Sequence, residues 1–112
     1  MNSILTSVKQ MIGIAREYEN FDANLIMHIN AAFSTLHQLG VGPEKGYRIS
    51  GPDNVWIEFL PEGPLLDMVK DYVAQKVRML FDAPSGSTVF NALNDSIKEF
   101  EWRIHLAAES SK

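Results

Sequence analysis

The sequence predicts a mostly α-helical fold, a small bundle of about four helices with a short β-hairpin or irregular insert between helices 2 and 3. Apolar residues recur at three- and four-residue spacing through four stretches, which is the spacing of one face of an α-helix. Glycine and proline punctuate the chain most densely across residues 42–63, which hold four glycines and three prolines. We therefore expect one domain over residues 1–112, with an insert at about 43–63 and a frayed tail at about 109–112.

The first helix is predicted from residue 3 to about residue 16. Asn2 or Ser3 can cap its N-terminus, and Gly13 weakens its last turn. Its apolar stripe consists of Ile4, Leu5, Val8, Met11, Ile12 and Ala15.

The second helix has the clearest boundaries. Asp22 is expected to be its N-cap, with Phe21 folding back onto Ile26 as a hydrophobic staple. Gly40 is expected to end the helix, and Pro43 prevents it from resuming. The stripe predicted to be buried consists of Leu25, Ile29, Ala32, Phe33 and Leu36.

The insert allows two structures. Residues 47–49 and 55–57 are aromatic and β-branched, so they can form two short strands joined by the turn-forming residues 50–54. The alternative is a single helical turn that carries Trp56 and Phe59. The sequence leaves both structures open.

The third and fourth helices complete the bundle. Pro64 suits the first position of the third helix, which should stop before Pro84. Ser85 or Ser87 can cap the fourth helix, and Val77 should be fully buried in the third. The fourth helix has a seam of apolar residues spaced four, four, three and four positions apart, which is expected to pack against another helix. The seam consists of Val89, Leu93, Ile97, Phe100 and Ile104.

The composition excludes several classes of site. The chain has no cysteine, so it has no disulfide framework, thiolate metal site or cysteine nucleophile, and it is compatible with a reducing cytoplasm. Its net charge is −4, and its basic residues are scattered, which disfavours sequence-specific nucleic-acid binding. No apolar stretch is long enough to span a membrane.

Catalytic and metal sites are not expected either. His28 and His37 are nine residues apart, whereas two ligands on one helix face lie three or four apart. Asp67 and Asp71 lie near a helix start, where the helix dipole favours acidic side chains. We therefore predict that the protein is not an enzyme and has no cofactor.

Trp102 is the best candidate for a binding residue on the last helix. At 100° per residue it lies opposite the seam of that helix, and Leu106 lies near the same side. Tryptophan is enriched at the centres of protein interfaces. Either Trp102 faces a partner or another helix of the same chain covers it, and the sequence does not decide between these.

The order of several sequence blocks resembles that of a known protein family. The blocks are HIN at 28–30, QLGVGP at 38–43, VWIEF at 55–59, FDAP at 81–84 and EWR at 101–103. In this order they resemble the head–tail connector (adaptor, head-completion) proteins encoded in siphophage and prophage genomes. One departure is visible, because the family pattern reads Phe-Asp-Pro-Pro where this chain has FDAP.

The resemblance implies a structural virion protein, made in the host cytoplasm and located at the head–tail junction. It would form a ring beneath the portal that extends the DNA channel, with itself, the portal protein and the next head–tail component as partners. The alternative is a small phage-encoded adaptor or regulatory protein with a single protein partner. From expected exposure, the candidate interface residues are Tyr47, Trp56 and Phe59 on the insert and Trp102 on the last helix.

Overall fold

The computed structural model describes residues 3–110 and contains four α-helices, which confirms the predicted helical bundle. They are α1 (Ile4–Met11), α2 (Asp22–Gln38), α3 (Pro64–Phe81) and α4 (Ser87–Ser110). A short 3₁₀ helix (Trp56–Glu58) lies between α2 and α3. Within the described residues no strand forms, so the insert is irregular and the hairpin alternative is wrong.

Helix α1 is shorter than predicted. The Oγ of Ser3 accepts a hydrogen bond from the amide of Thr6 at 3.2 Å and caps the helix as expected, whereas the alternative cap Asn2 lies outside the described residues. The helix ends at Met11 because Gly13 takes a positive φ of 85°, a conformation that turns the chain away from the helix axis.

A buried lysine closes the loop between α1 and α2. The Nζ of Lys9 donates hydrogen bonds to the carbonyl oxygens of Arg16 at 3.0 Å and Tyr18 at 2.6 Å. It also lies 2.9 Å from a carboxylate oxygen of Asp22, and its own side chain is only 3% exposed. Two hydrogen bonds and the ion pair with Asp22 compensate the ammonium group for lost hydration, which makes its burial tolerable.

This ion pair changes the start of α2. Asp22 is the first residue of the helix rather than its N-cap, and Phe21 occupies the cap position without a side-chain hydrogen bond. The predicted cap was wrong because the carboxylate of Asp22 is engaged by Lys9 from another element. At the other end, Gly40 has a φ of 89° just beyond the helix, as expected of a glycine that ends one.

The core lies where α3 packs between α2 and α4, with α1 against α2 and α3. Phe33 on α2 and Val77 on α3 are both 0% exposed, which confirms their predicted burial. The hydroxyl of Tyr72 on α3 donates a hydrogen bond to Glu101 on α4 at 2.8 Å. Burial, followed by this hydrogen bond, raises the pKa of Tyr72 above its ordinary value.

The insert is tied to the helices at both ends. Asn30 on α2 donates to the carbonyl of Ile49 at 3.0 Å and accepts from the amide of the same residue at 2.7 Å. The side-chain amide of Asn30 therefore satisfies both backbone hydrogen-bonding groups of Ile49, as a neighbouring β-strand would. Near the 3₁₀ helix, the amide of Ile4 donates to the carbonyl of Asn54 at 3.0 Å, and an isolated bridge joins Ser3 to Val55.

Helix α4 is only partly packed. Ile97 and Ile104 are buried as the seam predicted, but Val89 is 55% exposed, so the seam does not reach the first turns. The helix has 24 residues against 18 in α3, a difference of about 9 Å in length. It also continues through Ser110 where a frayed tail was expected; residues 111–112 lie outside the description.

Candidate protein-interaction surfaces

The aromatic side chains of the insert lie in the core instead of on the surface. Trp56 is 2% exposed and Phe59 is 4% exposed. The indole Nε1 of Trp56 donates to the Oγ of Ser7 at 3.2 Å, and the ammonium of Lys70 lies 5.9 Å from the ring centre. The expected exposure of Trp56 and Phe59 was therefore wrong, because the insert folds back and its aromatic residues fill the space beside α2.

Tyr47 is half-buried beside the same cluster. Its ring packs edge-on against Phe33 with centroids 5.1 Å apart, and its hydroxyl donates to Glu58 at 2.7 Å. Burial, followed by this hydrogen bond, raises the pKa of Tyr47. Hydrogen bonds from Tyr47 and then from Asn54 lower the pKa of Glu58, so this carboxylate remains charged and holds the insert together.

Trp102 has the exposure expected of an interface residue. It is 64% exposed on the outer face of α4, and Leu106, four residues later, is 44% exposed. Beside it, Arg103 pairs with Glu99 at 3.4 Å along the helix. Trp102 and Leu106 thus form an exposed apolar strip bordered by the charged pair of Arg103 and Glu99. Protein interfaces commonly have such an apolar centre with a polar rim.

A second exposed surface was not predicted from the sequence. Residues 87–92, the first turns of α4, are all exposed, with Val89 at 55% and Phe90 at 38%. No charged residue occurs from 83 to 94. This absence of charge is the sequence signal that could have identified the surface, because exposed helical turns usually carry charged side chains.

A third surface is an open groove along α2, with a volume of about 580 Å³. Helix α2 forms one wall, where small side chains alternate with larger ones such as Ile26 and His37, and Tyr47 and Arg48 of the insert line the other wall. Met27 also lines the groove and is 61% exposed. The width of the groove follows from the paired hydrogen bonds of Asn30, which fix the insert beside the helix.

A fourth surface is an aromatic cluster where the loop after α1 meets the end of α3. The ring centroid of Phe21 lies 5.4 Å from that of Tyr18 and 5.0 Å from that of Phe81. The ring centroids of His28 and Phe81 are 6.4 Å apart. Tyr18 and Phe21 are 44% and 39% exposed. The rings stabilise one another through tilted and edge-to-face contacts, so this cluster also has a structural role within the subunit.

The ionisable groups do not converge on a chemical site in the described part of the chain. Across residues 3–110, no group of three or more histidine, aspartate or glutamate residues has the geometry to hold a metal ion. His37 contacts the carbonyl of Glu44 at 2.9 Å, and His105 contacts the carbonyl of Leu39 at 3.2 Å. Both histidines therefore hold loop backbone to a helix. In the same residues, no helix combines the length and hydropathy needed to cross a bilayer.

One comparison with known proteins gave a match that covers nearly the whole chain. The family model described as "Phage connector protein" matches residues 4–111. No curated protein and no solved structure matched the chain.

Proposed function

This chain belongs to the phage connector protein family, and from that membership we propose that it is a subunit of the head–tail connector ring beneath the portal. The family places it among phage structural proteins. The proposed ring extends the DNA channel and presents a docking surface to the next head–tail component. Its partners are further copies of this chain, the portal protein and that next component.

The observation that carries the proposal is the presence of separate exposed apolar surfaces on one small subunit. Trp102 is 64% exposed on the outer face of α4, and Val89 is 55% exposed near its start. A subunit within a ring contacts its two neighbours through two different faces and needs a further face for the next component. An adaptor with a single partner, the alternative function, needs only one such surface.

Trp102 is the proposed anchor for contact with another protein of the junction. Burying an exposed indole and the adjacent Leu106 removes a large apolar area from water, and such anchors dominate the free energy of binding. Tyr47 is a candidate contact as well, because it lines the open groove along α2. Trp56 and Phe59 support the interface only indirectly, by positioning the insert.

The test is complementation of a phage that lacks this gene with a Trp102→Glu variant. The variant should keep its helix content and its urea midpoint, since Trp102 is exposed, yet DNA-filled heads should fail to acquire tails. Arg103→Gln is the matched control, because it changes the adjacent exposed side chain without removing apolar area. We expect this control to give normal tailed particles.

The outcomes separate the two parts of the proposal. If the gene deletion leaves infectious tailed particles, the connector role is wrong and the adaptor alternative takes its place. If the deletion blocks assembly but Trp102→Glu assembles normally, the connector role stands and the anchor assignment is wrong. Trp56→Glu should behave differently from both variants and unfold the subunit, because it places a charge in the core.

A further inference from the structure

The first turns of α4 pack little against the rest of their own subunit. Every residue from 87 to 92 is exposed, and none from 83 to 94 is charged. Helical turns in proteins are stabilised mainly by packing of an apolar face, and short unpacked helices are marginal in water. An uncharged, exposed segment with Val89 and Phe90 on its surface is therefore suited to burial against another molecule.

The open groove along α2 has a shape that suits such a helix. Ala23, Ala31 and Ser34 line it with small side chains, which let the backbone of an incoming helix approach closely. Met27, 61% exposed, adds a flexible apolar side chain that can adapt to the surface it meets. An amphipathic helix laid in an apolar groove is a recurring mode of protein recognition.

The charges at the two surfaces have opposite signs. Arg48 lines the groove, and no acidic residue lines it. Asp95 is the first charged residue after the uncharged stretch of α4. Within residues 3–110, neither Arg48 nor Asp95 has an ion-pair partner closer than 4.0 Å. A subunit with a net charge of −4 repels its own copies overall, so a local pairing of this kind would favour one orientation.

We infer that residues 87–95 of one subunit bind in the α2 groove of a second copy of this chain, with Asp95 beside Arg48. The inference rests on the proposed ring and specifies which surfaces its subunits share. The groove and the helix are different surfaces, so each copy can bind one neighbour through its groove and another through α4. Repetition of such a heterologous contact produces a closed ring or a filament.

The test uses cysteine cross-linking in assembled particles. The chain contains no cysteine, so a Met27→Cys/Phe90→Cys variant has only the two introduced thiols. Phage lacking the gene are complemented with this variant, and the purified particles are oxidised and run on a non-reducing gel. We expect a ladder of dimers, trimers and larger species, because each subunit links to two neighbours. Met27→Cys alone and Phe90→Cys alone should remain monomeric.

Two cross-linking results would overturn the inference. One is that particles contain the double variant but give no ladder. The other is that either single variant forms dimers on its own. A charge exchange between the two surfaces provides a further test. Asp95→Arg or Arg48→Asp should each reduce incorporation about tenfold, because each places like charges together. The combined Asp95→Arg/Arg48→Asp variant should restore incorporation. If it does not, the contact is wrong even where the cysteine variant is too poorly incorporated to cross-link.

The failure of the ring proposal itself would be distinguishable. In that case the wild-type protein would be missing from purified particles, as mass spectrometry of the particles would show. If the wild type is present in particles and the cross-linking pattern differs from the expected ladder, only the contact is wrong.

Discussion

The rings of Phe33 on α2 and Phe59 in the insert lie with their centroids 4.7 Å apart, closer than any other aromatic pair described. Phe33 also contacts Tyr47 at 5.1 Å and Trp56 at 6.1 Å. One helical side chain is thus surrounded by three aromatic residues from a segment with almost no regular structure. The insert is therefore part of the hydrophobic core, and its stability depends on α2.

Replacing Phe33 with alanine should lower the free energy of unfolding by about 3–5 kcal/mol, because it removes a fully buried ring and leaves a cavity. Met27→Ala on the same helix is the control and should change it by less than about 0.5 kcal/mol, since Met27 is 61% exposed. Urea unfolding followed by circular dichroism measures both. A loss below about 1 kcal/mol for Phe33→Ala would contradict this account of the core.

Gly42→Ala should be more destabilising than Gly13→Ala. Both glycines have positive φ values, 94° and 85°, so both substitutions carry the strain of an alanine in that conformation, about 1 kcal/mol. A β-carbon at Gly42 would also clash with the ring of Phe59, whereas nothing lies within 4 Å of one at Gly13. The additional cost should be about 1–3 kcal/mol. Equal urea midpoints for the two variants would show that the Phe59 ring can move aside.

Lys9→Met should lower the free energy of unfolding by about 3 kcal/mol. This value is near the lower end of the range for breaking a buried ion pair, because the side chain of Asp22 remains 27% exposed. The substitution removes the partner of Asp22 and of the carbonyl groups of Arg16 and Tyr18. Lys45→Met, at an exposed position, is the control and should be nearly neutral. Thermal unfolding of the two variants side by side would measure the difference, and similar midpoints would contradict the role of Lys9.

Stability should fall above pH 10, and Tyr72→Phe should reduce this loss. The pKa of Tyr72 is raised in the folded state, so between pH 10 and that raised pKa the unfolded chain loses a proton that the folded chain keeps. The contribution is fully present below pH 10 and weakens by up to about 1.4 kcal/mol per pH unit above it.

Urea unfolding at pH 8, 10 and 11 tests this pH dependence, with Tyr18→Phe as the control because Tyr18 is 44% exposed. At pH 8, Tyr72→Phe should cost about 1 kcal/mol through loss of the hydrogen bond to Glu101. If wild type and Tyr72→Phe lose stability equally between pH 8 and 11, Tyr72 does not contribute to the alkaline loss.

The helix boundaries could be predicted because their signals are local. Gly40, Pro64 and Pro84 act through backbone conformation alone, and the structure confirms the ends they predicted. Asp22 was placed wrongly because its partner Lys9 lies thirteen residues away in sequence, and local capping rules cannot include it. The end of α1 was placed about one and a half turns too late because Gly13 was expected only to weaken the last turn.

The candidate interface residues were harder to predict because exposure depends on tertiary packing. Trp56 and Phe59 were expected to be exposed anchors on the insert, but they are 2% and 4% exposed. Only the folded chain shows that α2 leaves one side of Phe33 uncovered and that the insert fills it. The face of Trp102, opposite the seam of α4, could be predicted because the period of a single helix determines it, whereas its exposure was left open by the sequence and depends on tertiary packing.

The hydrogen bond between Ser7 and Trp56 has a consequence for the order of folding. It joins residues 49 apart in sequence, and closing a loop of that length costs about 3.5 kcal/mol of chain entropy. Helix α1 is too short to be stable alone, so we expect it to dock after α2, α3 and the insert have assembled. Val8→Ala should then accelerate unfolding and leave the folding rate almost unchanged, as stopped-flow kinetics would show. Helix α1 would then stabilise the bundle only after the other elements have packed together.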